Sequence, residues 1–361
     1  MFDFMESTRG RTYPGKSRAG GDWAIVLRSF SGYGGPDEGE LWAVPLAGGE
    51  AKRVVAWTAW GIGSSDLIRL GLTVVARQLA PDRHRIVLTV TKHGRGNFGA
   101  RLAVIDLFSG DFAALDTPNL QAALRPAWSP DGKRIAFDRY EDTFWTGISV
   151  VGADNTGLRS LCGAAPRNEG GMAAFHGCYG VDGWTPDGKG VRFYEVDGYS
   201  VVDADTGALT RFGVHGASLI AANWRERSPA VALGTIADEQ RLMTFSASGG
   251  GANVIGHAPR SALGFFEPRW NPRSDDLLVR RGGELFVYAS AGGIRQVAAV
   301  KCELRGEWHP NGDDIVYLAP CLGTGELHVV SATGDRIVWS PPAGGRSDWR
   351  TADLAVVRYP T

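Results

Sequence analysis

The feature that most constrains this chain is a segment that returns. "RPAWSPDGKRIAF", Arg125 to Phe137, has six relatives: "QLAPDRHRIVL", "DGWTPDGKGVRF", "ANWRERSPAVAL", "PRWNPRSDDLLV", "GEWHPNGDDIVY" and the weaker "SDWRTADLAVV". Their anchor positions are Leu79, Trp128, Trp184, Trp224, Trp270, Trp308 and Trp349, spaced 49, 56, 40, 46, 38 and 41 residues apart. Recurrence on this scale marks a solenoid, a propeller or an array of small units that stack to bury a shared core.

One repeat, Leu124 to Cys162, shows what is stacked. "LRPAW" reads as a strand. "SPDGK" is a turn, in which Pro presets φ and Asp-Gly supplies a residue at positive φ. "RIAFDRY" alternates like a second strand. "EDTFWT" reads as a loop, "GISVVGA" as a third strand, "DNTG" as a turn and "LRSLC" as a fourth strand. Four antiparallel strands repeated radially make the blade of a β-propeller. The anchor aromatic is expected to pack between neighbouring sheets, and no unit buries both faces alone.

The predicted fold class is therefore all-β, a single β-propeller over residues 22–361, with residues 1–21 a flexible polar tail. The N-terminal part offers "DWAIVLRSF", "ELWAVPL" and "AKRVV", three strands without an anchor segment. The C-terminal "RSDWRTADLAVVRYP" offers an anchor segment without the rest. The simplest closure joins both ends in one blade, giving seven four-stranded blades and hiding two sheet edges. An eight-bladed closure is the alternative.

"PAWSPDGKRIAF" resembles the repeat of the TolB-like, WD40-like (PD40) propeller family. The match is strongest at Pro126–Phe137, good at Trp184–Phe193 and degraded elsewhere. The resemblance implies the fold. It does not choose a function, because that family includes protein-binding periplasmic propellers, propeller domains of peptidases and some polysaccharide lyases.

Composition removes several classes. Net charge of −1 gives no overall attraction to nucleic acid. No apolar run reaches membrane-spanning length, so no membrane insertion is expected. The opening 21 residues lack the apolar centre of a signal peptide. The chain is expected to be cytoplasmic if that start is native, or secreted or periplasmic if a signal has been removed. The four cysteines, Cys162, Cys178, Cys302 and Cys321, form no C-x-x-C pair. The close pairs, 16 and 19 residues apart, either bridge loops in an oxidising compartment or remain reduced. "GRGNFG" at Gly94 to Gly99 satisfies G-x-G-x-x-G, but a strand-like "RLAVIDL" follows it where a nucleotide site needs a helix. "DADTG" at Asp203 to Gly207 reads as a turn in preference to a calcium loop. There is no G-x-S-x-G elbow.

The candidate functional residues lie in or beside the connections between blades. His176, His215 and His257 stand in consecutive connections of this kind and precede their anchors by 8, 9 and 13 residues. If neighbouring blades bring them together, they hold a divalent metal ion (Mn, Ca or Zn), or one acts as a base. Otherwise they are unrelated surface histidines. Arg125, Arg305 and Arg346 each stand three residues before an anchor, and Arg77 stands one position out of that register. Such arginines grip carboxylates or phosphates, or pair with neighbouring blades through Glu267 or Glu307. Trp57, Trp60, Tyr140, Trp145 and Tyr179 add aromatic surface that stacks on sugars or packs within loops.

Two functions fit these residues. One is a carbohydrate-active enzyme that binds an acidic oligo- or polysaccharide, or another anionic small molecule, and cleaves it by β-elimination at a uronate. Its site residue types are similar to those of propeller-fold oligogalacturonate lyases, which use a histidine-bound metal. The other is a non-catalytic, TolB-like module that binds a protein or peptide partner. A propeller enzyme of secondary metabolism is a third class.

Overall fold

In the computed structural model, the described residues are 20–30, 37–59, 75–92, 99–115, 122–141, 144–163, 178–195, 198–212, 218–226, 231–236, 239–246, 253–259, 267–301, 304–319, 325–341 and 351–359. His176, His215, Trp60, Arg346, Trp349, Cys302, Cys321, most of "GRGNFG" and the N-terminal tail lie outside them.

Strands dominate, and they follow the repeat. In chain order the elements are β1 (Gly21–Phe30), β2 (Asp37–Pro45), β3 (Lys52–Ala59), a single helical turn α1 (Val75–Gln78), β4 (Arg85–Lys92), β5 (Gly99–Asp106) and β6 (Phe112–Ala114). Next come β7 (Ala122–Trp128), β8 (Arg134–Glu141), β9 (Phe144–Gly152), β10 (Arg159–Gly163), β11 (Tyr179–Trp184), β12 (Gly190–Glu195), β13 (Gly198–Asp203) and β14 (Leu209–Phe212). They are followed by β15 (Ser218–Trp224), β16 (Val231–Ile236), β17 (Glu239–Phe245), β18 (Asn253–Pro259), β19 (Glu267–Trp270), β20 (Leu277–Arg281), β21 (Glu284–Tyr288) and β22 (Ile294–Ala299). The last are β23 (Arg305–Trp308), β24 (Ile315–Ala319), β25 (Glu326–Ser331), β26 (Gly334–Trp339) and β27 (Thr351–Tyr359).

Contacts divide the chain into two compact units. One comprises Met1–Ala76, Asp106–Asp111 and Pro259–Thr361; the other comprises Arg77–Ile105 and Phe112–Ala258. In the first, the sheets run β27-β1-β2-β3, β19-β20-β21-β22 and β23-β24-β25-β26. In the second they run β11-β12-β13-β14 and β15-β16-β17-β18, with a seven-stranded sheet β10-β9-β8-β7-β5-β4 in which β6 pairs with β5. Two repeats share this larger sheet through one parallel bridge, Ala100↔Ala122.

The repeat has a constant register. Each anchor pairs with one of the first two residues of the next strand: Leu79↔Ile86, Trp128↔Ile135, Trp184↔Val191, Trp224↔Val231, Trp270↔Leu277 and Trp308↔Ile315. The N- and C-terminal strands pair as expected, β1 against β27. At their equivalent level stands Tyr359↔Gly21, ten residues beyond Trp349. Tyr359, 4% exposed, therefore fills the seventh anchor position. The residue three before it is Val356.

The turn after the anchor is a hydrogen-bonded box. Ser129 Oγ donates to Asp131 Oδ1 at 2.6 Å and accepts Arg134 N at 2.9 Å, and Gly132 holds φ +68°. Thr185, Asp187 and Gly190 repeat this, with Thr185 Oγ1 2.6 Å from Asp187 Oδ1. "DADTG" is also a turn: Asp203 Oδ1 accepts the amides of Asp205 and Thr206 at 3.0 and 2.7 Å.

Alternation along each strand builds the cores. Trp184 packs with Ala127, Ala136, Ile148 and Val150 of the preceding repeat and donates Nε1 to Ala127 O at 2.9 Å. Trp308 does the same toward Arg269 O at 3.0 Å. Within the first unit, Trp42, Val44, Val316, Leu327, Trp339 and Leu354 form one core.

Three local expectations are corrected. "EDTFWT" is not a loop, because β8 runs through Glu141 and β9 begins at Phe144. The segment before Leu79 is the helical turn α1, and only the single Leu79↔Ile86 bridge marks the expected strand. His257 lies within β18, the fourth strand of its sheet, and not in a connection between sheets.

Candidate functional site

The strands that end in anchors are irregular where the repeat carries charge. In β7 the pairing passes from Leu124↔Asp138 to Ala127↔Ala136, leaving one extra residue. This bulge turns the chain and re-aims its side chains. Arg125 occupies it at φ +51°, a conformation that costs a non-glycine residue about 1 kcal/mol or more. In β11 the register shifts twice, at Gly180 and at Asp182. Gly180 at φ +83° and Gly183 at φ +149° supply the backbone freedom this needs.

These bulges, with α1, β8, β12, β13 and β15, assemble a largely buried polar cluster in the second unit. Asp138 on β8 is 0% exposed, and its Oδ1 accepts the amides of Gly180 and Val181 at 2.9 and 3.0 Å. Its Oδ2 faces Arg125 Nε at 3.7 Å. Burial pushes this carboxyl up to about 6, against the opposing pull of Arg125. Asp182 lies 3.9 Å from Arg77 Nη1 and 3.7 Å from Arg192 Nη1. Its two oxygens accept Tyr194 Oη at 3.0 Å and Tyr199 Oη at 2.8 Å. Tyr199 Oη accepts Trp224 Nε1 at 2.8 Å, and the Arg192 guanidinium lies 5.4 Å from the centroid of the Trp224 ring. Burial, followed by the Asp182 charge, raises both phenols well above the ordinary tyrosine range, so they act as donors.

Among the described residues, three guanidinium groups, Arg77, Arg125 and Arg192, face two carboxylates, Asp138 and Asp182. Burial lowers Arg77, against the opposing pull of the Asp182 charge. The Arg125 side chain keeps 18% of its surface exposed, so an anion from solvent can reach it.

A second polar cluster lies in the first unit, beside a cleft with room for about one water. It is lined by Glu267, Arg269, Arg280, Arg305, Glu307 and Asp353. Arg269 Nε is 2.7 Å from Glu307 Oε1, and Arg305 Nη1 is 3.1 Å from both Glu267 oxygens. Arg280 also pairs with Glu267. Burial acts to raise Glu267, but Arg280 and Arg305 override it and hold the carboxyl well below its usual range. Here three arginines meet three carboxylates, and the network is satisfied from within.

Of the candidate residues, Arg77 and Arg125 come together in the second unit. Arg305 stands in the first unit, paired with Glu267, which is the pairing weighed against its ligand role. Tyr140 is half-buried on β8, opposite Trp145 on β9. Trp57 on β3 and Tyr179 on β11 are placed by backbone only. His257 is exposed, its Nδ1 3.0 Å from Glu239 Oε1. Among the described residues, no three His, Cys, Asp or Glu side chains are grouped to hold a metal ion. Cys162 and Cys178 form a disulfide. Asp138, Asp182, Arg192, Tyr194 and Tyr199 were not singled out from sequence. The available signal is in "RIAFDRY", where Asp138 interrupts the face begun by Ala136, and in "VDGW", where a carboxylate precedes the anchor.

No protein-family model matches the chain, and no curated protein matches it either. Solved structures do. A periplasmic gluconolactonase from Pseudomonas aeruginosa matches with a TM-score of 0.54 and 14% identity, over 94% of this chain and 100% of that one. An oligogalacturonate lyase from Vibrio parahaemolyticus matches with a TM-score of 0.50 and 10% identity, over 92% and 90%. TolB from Acinetobacter baumannii gives 0.47 and 16% identity, over 92% and 82%. The fold is a β-propeller, as the repeat predicts. At these identities the likeness is one of fold.

Proposed function

We propose that the protein binds an acidic sugar, with the ligand carboxylate received by Arg77, Arg125 and Arg192. The carrying observation is the gathering of three guanidinium groups around two carboxylates, in a setting of reduced solvent screening. A guanidinium offers paired donors to a carboxylate. Tyr140, half-buried on β8, adds a ring for a sugar face. The names of two solved relatives, a gluconolactonase and an oligogalacturonate lyase, guide the choice of sugar acids as probes.

The same grip suits β-elimination at a uronate. A base takes the proton beside the carboxylate, the bond from the β carbon to the glycosidic oxygen breaks, and that oxygen leaves with a proton. Positive charge on the carboxylate stabilises the enolate-like intermediate. Tyr194 and Tyr199, held protonated, are not the base. In this reading the base is one of His176, His215 and His257. Among the described acids His257 pairs with Glu239, its Nδ1 3.0 Å from Oε1.

Calorimetric titration with gluconate, digalacturonate and neutral galactobiose tests the binding. The acids bind and the neutral disaccharide does not. Arg77→Gln and Arg125→Gln each weaken binding about tenfold or more, the usual scale of a charged hydrogen bond. Equal binding of galactobiose, or no binding of either acid, refutes the reading. Absorbance of an unsaturated uronate product from digalacturonate tests the elimination separately.

A further inference from the structure

We propose that binding of the acidic sugar is coupled to uptake of one proton by Asp138, so that the site grips more tightly as the solution becomes more acidic. This rests on the acidic-sugar reading and adds a regulation to it. The geometry is competitive. Asp138 Oδ2 and an incoming carboxylate both address Arg125, whose Nε is 3.7 Å from that oxygen. Asp138 is 0% exposed and cannot turn to water, because its Oδ1 is held by the Gly180 and Val181 amides of β11.

The charged groups that act on it are Arg125 on β7 and Arg77 on α1, and Arg77 in turn faces Asp182 on β11 and Tyr194 on β12. Arg125 and Arg77 both hold the Asp138 carboxylate ionised, while burial works against them. Tyr194 stays protonated and Asp182 already accepts two phenols, so neither replaces the proton Asp138 needs. When the ligand anion takes over part of the Arg125 charge, the buried carboxylate loses its compensation and takes a proton from solvent. As an acid it keeps Oδ1 as the acceptor for the two amides. Its Oδ2–H becomes a donor, and Arg125 is released to the ligand.

The sign follows from the free site. Its carboxyl is pushed up to about 6. Below that pH Asp138 already carries the proton, and affinity is high and flat. Above it each binding event must draw a proton from solvent, and Kd rises toward tenfold per pH unit.

The test titrates gluconate, whose own carboxyl stays ionised, from pH 5 to 8, and at pH 7 in two buffers with different heats of ionisation. The expected result is weakening above pH 6 and a net uptake approaching one proton per ligand at pH 7. Asp138→Asn keeps the Oδ1 acceptor and is expected to bind with no pH dependence, at pH 7.5 about as tightly as the native protein at pH 5. If that variant does not fold, the two-buffer measurement on the native protein decides alone. Gluconate binding without proton uptake, or a pH dependence unchanged in Asp138→Asn, overturns the coupling and leaves the acidic-sugar reading standing. No gluconate binding at any pH overturns both.

Discussion

Arg125 and Asp138 face each other across a β-bulge, Nε to Oδ2 at 3.7 Å, and the arginine holds φ +51° to do so. A strained backbone beside a fully buried carboxylate is costly to a fold. That cost persists where the arrangement serves a site.

The first consequence is a pH-dependent stability. The Asp138 carboxyl sits at about 6 in the folded chain, above the ordinary aspartate value near 3.9 in the unfolded one. The folded state therefore binds the proton more tightly. The stabilisation is fully present below about pH 4 and is lost as pH rises through about 6, at most about 3 kcal/mol. Urea melts at pH 4 and pH 7.5, native against Asp138→Asn, are expected to show the variant gaining relative stability at pH 7.5. A constant difference at both values contradicts this.

The two arginine clusters separate by readout. Arg305 Nη1 rests on Glu267, which Arg280 also holds, in a balanced network. Arg305→Gln is expected to cost about 1 kcal/mol of stability and to leave gluconate affinity unchanged. Arg125→Gln is expected to reduce affinity. A loss of affinity on changing Arg305 would place the ligand elsewhere.

The repeat was legible because its punctuation is chemical. Pro130, Asp131 and Gly132 encode a turn in any context, and Trp128, Trp184 and Trp308 are too large to be misplaced. The register at the C-terminus was not legible, because Trp349 looks like an anchor while Tyr359 occupies the level. The sequence motif there imitates its siblings, and only the length of β27 against β1 reveals the shift. At the site, Arg77 and Arg125 were visible as arginines near anchors. Their partners were not, because bulges at Gly180 and Asp182 break the two-residue alternation on which strand reading depends.

Tyr359 carries a measurable share of the closing sheet. Its ring meets Trp23 at 6.5 Å and Phe108 at 5.4 Å between centroids. Tyr359→Ala is expected to destabilise the protein by about 3 kcal/mol, as for other large buried aromatics. Truncation before Thr351 removes all of β27 and exposes the edge of β1. The truncated chain is expected to lose cooperative unfolding in circular dichroism. A normal transition in it would show that the β1–β27 pairing is dispensable.

The Cys162–Cys178 disulfide closes a loop 16 residues in sequence separation, from β10 to the entrance of β11. Cross-linking a loop of this size stabilises by about 3 kcal/mol through the unfolded chain. Dithiothreitol is expected to lower the melting temperature of the native protein and to lower that of Cys162→Ser by less. Equal shifts in both would indicate that the bond does not form.

Gly180 offers the most selective handle on the site. It holds φ +83°, and a Cβ there would lie 2.7 Å from Arg125 Nη1 and 3.3 Å from Tyr194 Cβ. The tyrosine is fixed by its strand, so the guanidinium must move. Gly180→Ala is expected to cost about 1–2 kcal/mol of stability, chiefly from the backbone conformation. Gluconate affinity is expected to fall about tenfold or more as Arg125 is displaced. Gly207→Ala supplies the control, with φ +74°, a nearest neighbour of Leu161 O at 3.2 Å and no guanidinium of the cluster within 4 Å of the added Cβ. It carries a comparable backbone penalty and is expected to keep full affinity. If both substitutions lower affinity alike, the effect is general loosening and Arg125 is not the residue that receives the acid.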